Sequence, residues 1–194
     1  MTRVDDERRA SVDRILGETI DLLELVRRGD LQPLMRAVDV IAEAFGNGQA
    51  LLAFGNGGSA ADAQHFVTEF VGRYQRDRRA VPALALTADT SLLTAVANDY
   101  GFERVFARQI EAFGAPGDIA FGITTSGNSP SVVEGLKAGA ERGMITIALT
   151  GRDGGQAGQL ADIHLNVPHA VTARVQEAHI TLLHVICELV EAGL

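Results

Sequence analysis

The chain has 194 residues, 46% apolar and 22% charged, enough to bury one core of ordinary size with the composition of a soluble globular protein. Its net charge of −8 argues against nucleic acid as a partner, because the basic runs "DERR" and "RDRR" are short, broken by acids and read as solvated surface. A lone cysteine, Cys187, excludes an internal disulfide, no apolar run reaches the ~18 residues of a membrane span, and the N-terminus lacks a secretory apolar stretch, so a cytoplasmic protein is expected.

The first predicted element is an amphipathic helix over residues 9–29, with Val12, Ile15, Leu16, Ile20, Leu23 and Val26 at helical spacing. A second helix, "LQPLMRAVDVIAEAFGNG", ends at Gly-Asn-Gly. Residues 1–48 therefore form a helical segment ahead of a core at 49–194, within a single domain. From there short apolar runs recur: "ALLAF" (50–54), "VPALALT" (81–87), "DIAFGIT" (118–124), "MITIALT" (144–150) and "DIHLNV" (162–167). They do not alternate, so both faces are expected to be covered, as in a parallel sheet. Between them lie the helical patterns "SAADAQHFVTEFVGRY", "TSLLTAVANDYGFERVFARQIEAF" and "SPSVVEGLKAGAERG", and a last helix runs from about Ala173 to Ala192 with Cys187 as a small core residue. Strands alternating with helices predict an α/β fold, a three-layer αβα sandwich around a five-stranded parallel sheet.

In such sheets ligands sit just past the carboxyl ends of the strands. Three of these ends are rich in small polar residues: "GNGGS", "TTSGNSPS" and "TGRDGG". In the second, Thr124, Thr125, Ser126 and Ser129 crowd around Gly127 and Asn128 before a helix whose N-terminal end favours an anion. One hydroxyl would serve as a cap. Four of them suit a phosphate monoester without Lys or Arg. "GNGGSA" also matches a dinucleotide fingerprint, but that motif wants an acid about 20 residues on, and the nearest candidate, Asp89, lies too far along. No nicotinamide or flavin is expected.

His65 and Glu69 share a face of the first core helix and alone read as an exposed ion pair. The last helix alters that reading, because "RVQEAHITLLH" sets Gln176, Glu177, His179 and His184 among apolar residues. At about 100° per residue, Gln176 can share a site with His179 or with His184 but not both, and the spacing does not choose. Two helices offering His, Glu, Gln and His would complete a four-ligand N/O set that zinc tolerates. A carboxylate and an imidazole beside a sugar phosphate also make a base and an acid for proton transfer next to a carbonyl, as in aldose–ketose isomerisation.

The motifs "GNGGSAADAQHF", "TSGNS" and "VQEAHITLLH" resemble the sugar isomerase (SIS) domain superfamily and, within it, the phosphoheptose isomerase family, and the resemblance runs over nearly the whole chain. It implies a cytoplasmic homotetramer, assembled partly through residues 1–48, that converts sedoheptulose 7-phosphate to glycero-manno-heptose 7-phosphate for lipopolysaccharide or related glycoconjugates. It implies zinc held by His65, Glu69, Gln176 and His184, with Glu69 as base and His184 as acid. The same resemblance gives Thr124, Thr125, Ser126, Ser129 and Ser59 to the phosphate. Asn56, Gly57, Gly58, Asn98 and Asp99 would go to the sugar, and Arg73 would reach in from a neighbouring subunit. Departures stand at Ala60, where some members carry a bulkier polar residue, at Thr124, where serine is common, and before Gln176, where some carry an acid. The alternatives are an isomerase of another ketose phosphate and a non-catalytic SIS regulator of replication initiation, whose kind loses the Glu and His retained here.

Overall fold

The computed structural model describes residues 3–194; Met1 and Thr2, the start of the segment 1–48, lie outside the described residues. The five apolar runs form strands β1 (Leu51–Gly55), β2 (Ala83–Ala85), β3 (Ile119–Thr124), β4 (Ile145–Gly151) and β5 (Ile163–Val167). All pair in parallel, in the order β2-β1-β3-β4-β5. Every residue of β1 and β3 is buried, while edge strand β5 alternates between buried and half-buried. The unbroken apolar runs thus mark the centre of the sheet. β2 is shorter than the expected 81–87, because Pro82 has no N–H for the ladder and the chain turns after Ala85.

Successive strand residues face opposite layers. Leu51, Ala53, Phe121 and Leu149 pack under α1 (Arg3–Arg28), α2 (Gln32–Gly46), α3 (Gly58–Val71) and α8 (Thr172–Gly193). Leu52, Phe54, Ala120 and Ala148 pack under α4 (Thr90–Tyr100), α5 (Ala107–Phe113), α6 (Pro130–Glu141) and α7 (Gly155–Leu160). The three layers are those expected from the sequence. Phe66 and Phe70 pin α3 to this frame, with ring centroids 4.9 Å from Phe121 and 5.0 Å from Phe45 respectively. Truncating either would cost about 3–5 kcal/mol.

Two local expectations need correction. The stretch 90–113 is not one helical pattern: Gly101 (φ +91) breaks it, and a 3-10 turn at Phe102–Arg104 separates α4 from α5. "TGRDGG" opens into α7, which its glycines disfavour and whose Ala157 N–H is anchored on Gly127 O at 2.9 Å.

Candidate active site

β1 and β3 are neighbours, with Gly55 opposite Ile123, so the loops leaving them emerge side by side at the carboxyl edge of the sheet. Asn56 ties the loops together, its Nδ2 donating to Ser129 Oγ (2.8 Å) and Ser131 Oγ (2.9 Å). A cavity of about 220 Å³ opens there, lined by Asn56, Ser59, Thr124, Thr125, Ser126, Ser129, Thr172 and Gln176. Apart from Ile123 its wall holds hydroxyls and amides, and no charged side chain among the described residues lines it. Ser129 is also the residue before α6, so the helix's positive end lies at this wall. The segment after β4 does not line the cavity; it buttresses the β3 loop, with the Gln156 N–H of α7 donating to Asn128 Oδ1 at 3.0 Å.

α3 and α8 lie side by side. At one point Gln176 packs so closely on Gly58 that a Cβ there would lie 2.2 Å from its Nε2. Two turns further on, His65 Nε2 is 3.3 Å from His184 Nε2 and 3.1 Å from Glu69 Oε1. The three donor atoms lie within 4.8 Å of one another. Tetrahedral zinc with bonds of about 2.0–2.1 Å separates its donors by roughly 3.3 Å, so two imidazoles and a carboxylate at these spacings fit that ion. Of the two histidines on α8, His184 is the one brought to α3. His179 is fully buried against the sheet, where Nε2 lies 2.9 Å from Thr150 O; burial pushes its imidazole down to about 4, against the opposing effect of that bond.

Other residues fall elsewhere. Arg73, Asn98 and Asp99 are exposed and do not line the cavity; Asn98 Nδ2 donates to Asp99 Oδ1 at 2.7 Å. Glu177 turns to α1, where Thr19 Oγ1 donates to it at 2.7 Å and Arg174 pairs with it. Burial raises its carboxyl, but those two partners outweigh the effect and hold it below the usual range. Asp89 accepts the Leu92 N–H (3.0 Å) as the cap of α4, so the acid nearest to a dinucleotide pattern has a structural use. Arg78, within "RDRR", is buried with Glu191 rather than solvated. A slightly larger cavity, about 250 Å³, lies at the α1–α2 junction among Leu25, Leu31, Pro33 and Leu34. Its one imidazole, His164, is already bonded to Thr150 Oγ1 at 2.7 Å, so it offers no comparable chemistry.

Sequence reasoning missed Ser131, Thr172, Tyr74 and Asp62. Ser131 closes the quoted stretch "TTSGNSPS" and was within reach of the same pattern. Asp62, on α3 between Ser59 and His65, has a buried carboxylate oxygen without a hydrogen-bond partner among the described residues, and burial raises its carboxyl against the pull of His65. Nothing in its spacing distinguishes it from a surface acid.

Comparison with known proteins shows the family to which the chain belongs. The SIS domain family profile matches residues 16–151. A phosphoheptose isomerase of Citrifermentans bemidjiense is 54% identical over 168 residues, covering 86% of this chain and 88% of its own. The solved phosphoheptose isomerase of Neisseria gonorrhoeae superposes with a TM-score of 0.90 at 44% identity, over 95% of this chain and 98% of that one. That of Francisella tularensis gives 0.91 at 32% identity, over 99% and 100%. The chain belongs to the phosphoheptose isomerase family of SIS domain proteins.

Proposed function

We propose that the chain interconverts sedoheptulose 7-phosphate and glycero-manno-heptose 7-phosphate, with Glu69 as base and His184 as acid. The observation that carries this is the His65–Glu69–His184 cluster on the α3–α8 seam, whose other end, at Gln176, walls the uncharged hydroxyl cavity. That cavity suits the phosphate, through Thr124, Thr125, Ser126, Ser129 and Ser59, with the N-terminus of α6 adding its dipole. Asn56, Gly57 and Gly58 stand toward the sugar, and Asn98, Asp99 and a neighbouring subunit's Arg73 would complete its wall on assembly.

In the ketose-to-aldose direction Glu69 takes a proton from C1 while His184 donates one to the C2 oxygen, giving an enediol. Glu69 then returns its proton to C2, and His184 recovers one from the C1 hydroxyl as the aldehyde forms. His65, Glu69 and His184 would hold zinc, joined by Gln176 only if its carboxamide swung from Gly58 along the seam toward them; when bound, the ion would polarise the oxygens of the reacting carbons. Each of the two shared residues keeps a free atom for proton transfer, since a carboxylate has two oxygens and an imidazole two nitrogens. We further read the working protein as a cytoplasmic homotetramer that supplies heptose for glycoconjugates.

The test is incubation with sedoheptulose 7-phosphate, followed by NMR for the aldose. Turnover is expected, with about one zinc per chain by elemental analysis, lost in His65→Ala. Glu69→Gln should lower kcat by about 10²- to 10⁴-fold while keeping the fold. Near-normal turnover in that variant, or conversion only of another ketose phosphate, would overturn the assignment.

A further inference from the structure

Glu69 and His184 sit on different helices, so their spacing depends on how α3 is held against α8. Glu69 lies in the last turn of α3, where carbonyls have no helical N–H partner. Arg78 supplies it: Nη2 donates to Glu69 O (2.7 Å) and Nη1 to Phe70 O (2.9 Å). The guanidinium is itself backed by Glu191 of α8, with Nε 3.3 Å from Oε1 and side chains only 8% and 3% exposed. Glu191 also accepts the N–H groups of Tyr74 (3.0 Å), Gln75 (2.8 Å) and Arg76 (2.9 Å), strapping the chain after α3 to α8. Burial raises its carboxyl, but the three N–H bonds and Arg78 outweigh that and hold it below the usual range.

Glu191 stands seven residues after His184, within about 20° on the same face of the helix. Tyr74, which it anchors, lays its ring 5.7 Å from that of His184. One carboxylate therefore holds the ring behind His184 and, through Arg78, the helical turn that carries Glu69. We propose that Arg78 and Glu191 are positioning residues that fix the relative placement of Glu69 and His184. The functional side of this inference rests on the reading of those two residues given above.

The experiment compares Glu191→Gln and Arg78→Lys with Asp118→Asn. Asp118 is likewise a buried carboxylate bonded to backbone N–H groups, from Ala50 (2.8 Å) and Ala115 (2.9 Å), but it lies before β3, at the far edge of the sheet. All three variants should melt earlier. Glu191→Gln should also bind zinc about 10- to 100-fold more weakly by chelator competition and lose kcat in proportion, with KM within about twofold. Arg78→Lys should follow, since an ammonium lacks the fork that spans two carbonyls. In metal-free protein, hydrogen exchange in Glu191→Gln should quicken through the last turn of α3 as well as at 74–76. Asp118→Asn should show none of these site effects. The proposal is overturned if Glu191→Gln matches Asp118→Asn in zinc affinity and kcat, or if faster exchange stays confined to 74–76. Parent protein without zinc or turnover would instead refute the reading of the site, and the exchange data alone would then decide the positioning.

Discussion

His179 shows how one residue sets a pH limit without touching substrate. It is fully buried, its Nδ1 has no hydrogen-bond partner among the described residues, and it is held neutral down to about 4. The unfolded chain takes up that proton near 6.5, so from there down to about 4 the unfolded state binds more protons and stability falls as pH falls. The cost reaches on the order of 3 kcal/mol at the lower end. His179→Gln should flatten the fall in thermal midpoint between pH 6.5 and 4; an unchanged slope would show that other groups govern it. This is also where spacing gave out. Helical angles allowed either His179 or His184 to join Gln176, and only the packing of α8 on β4 and α3 separates a buried imidazole from one that meets His65.

At the scale of elements, β1, β3 and β4 were legible because strands covered on both faces leave long apolar runs, whereas edge strand β2 was overextended past Pro82. α7 escaped notice because Gly155 and Gly158 argue against a helix. The helix exists because it packs on His164 and bonds to the β3 loop. The Arg78–Glu191 pair was illegible for another reason: its partners are far apart in sequence and no periodicity links them. Gly58 gives the test of the α3–α8 seam. Alanine there improves helix propensity but pushes its Cβ into the Gln176 carboxamide, which must swing away. Gly58→Ala should keep its thermal midpoint within a few degrees and lose about tenfold or more in kcat/KM; full activity would mean that the position of Gln176 is unimportant.

Across the whole molecule, the exposed side of α1 stands out. Val12, Leu16 and Ile20 recur every four residues and are 56%, 59% and 61% exposed, on a helix whose buried residues are few. An apolar stripe of this kind is expected to be covered by another chain. Leu16→Glu with Ile20→Glu should lower the assembly mass measured by light scattering, and should lower activity too if a neighbour's Arg73 completes the site; unchanged mass would place the interface elsewhere.

The uncharged cavity has a consequence for how the molecule meets its ligand. Dipoles of hydroxyls, amides and a helix end act over a few ångströms, well inside the ~10 Å screening length of 0.1 M salt, so the grip on the phosphate proposed to sit there should be nearly indifferent to ionic strength. The chain as a whole is negative, so at long range it repels the same anion, and that repulsion is what salt removes. On that proposal capture and retention should respond to the medium in different ways: dissolved salt would ease the approach and leave the residence time alone.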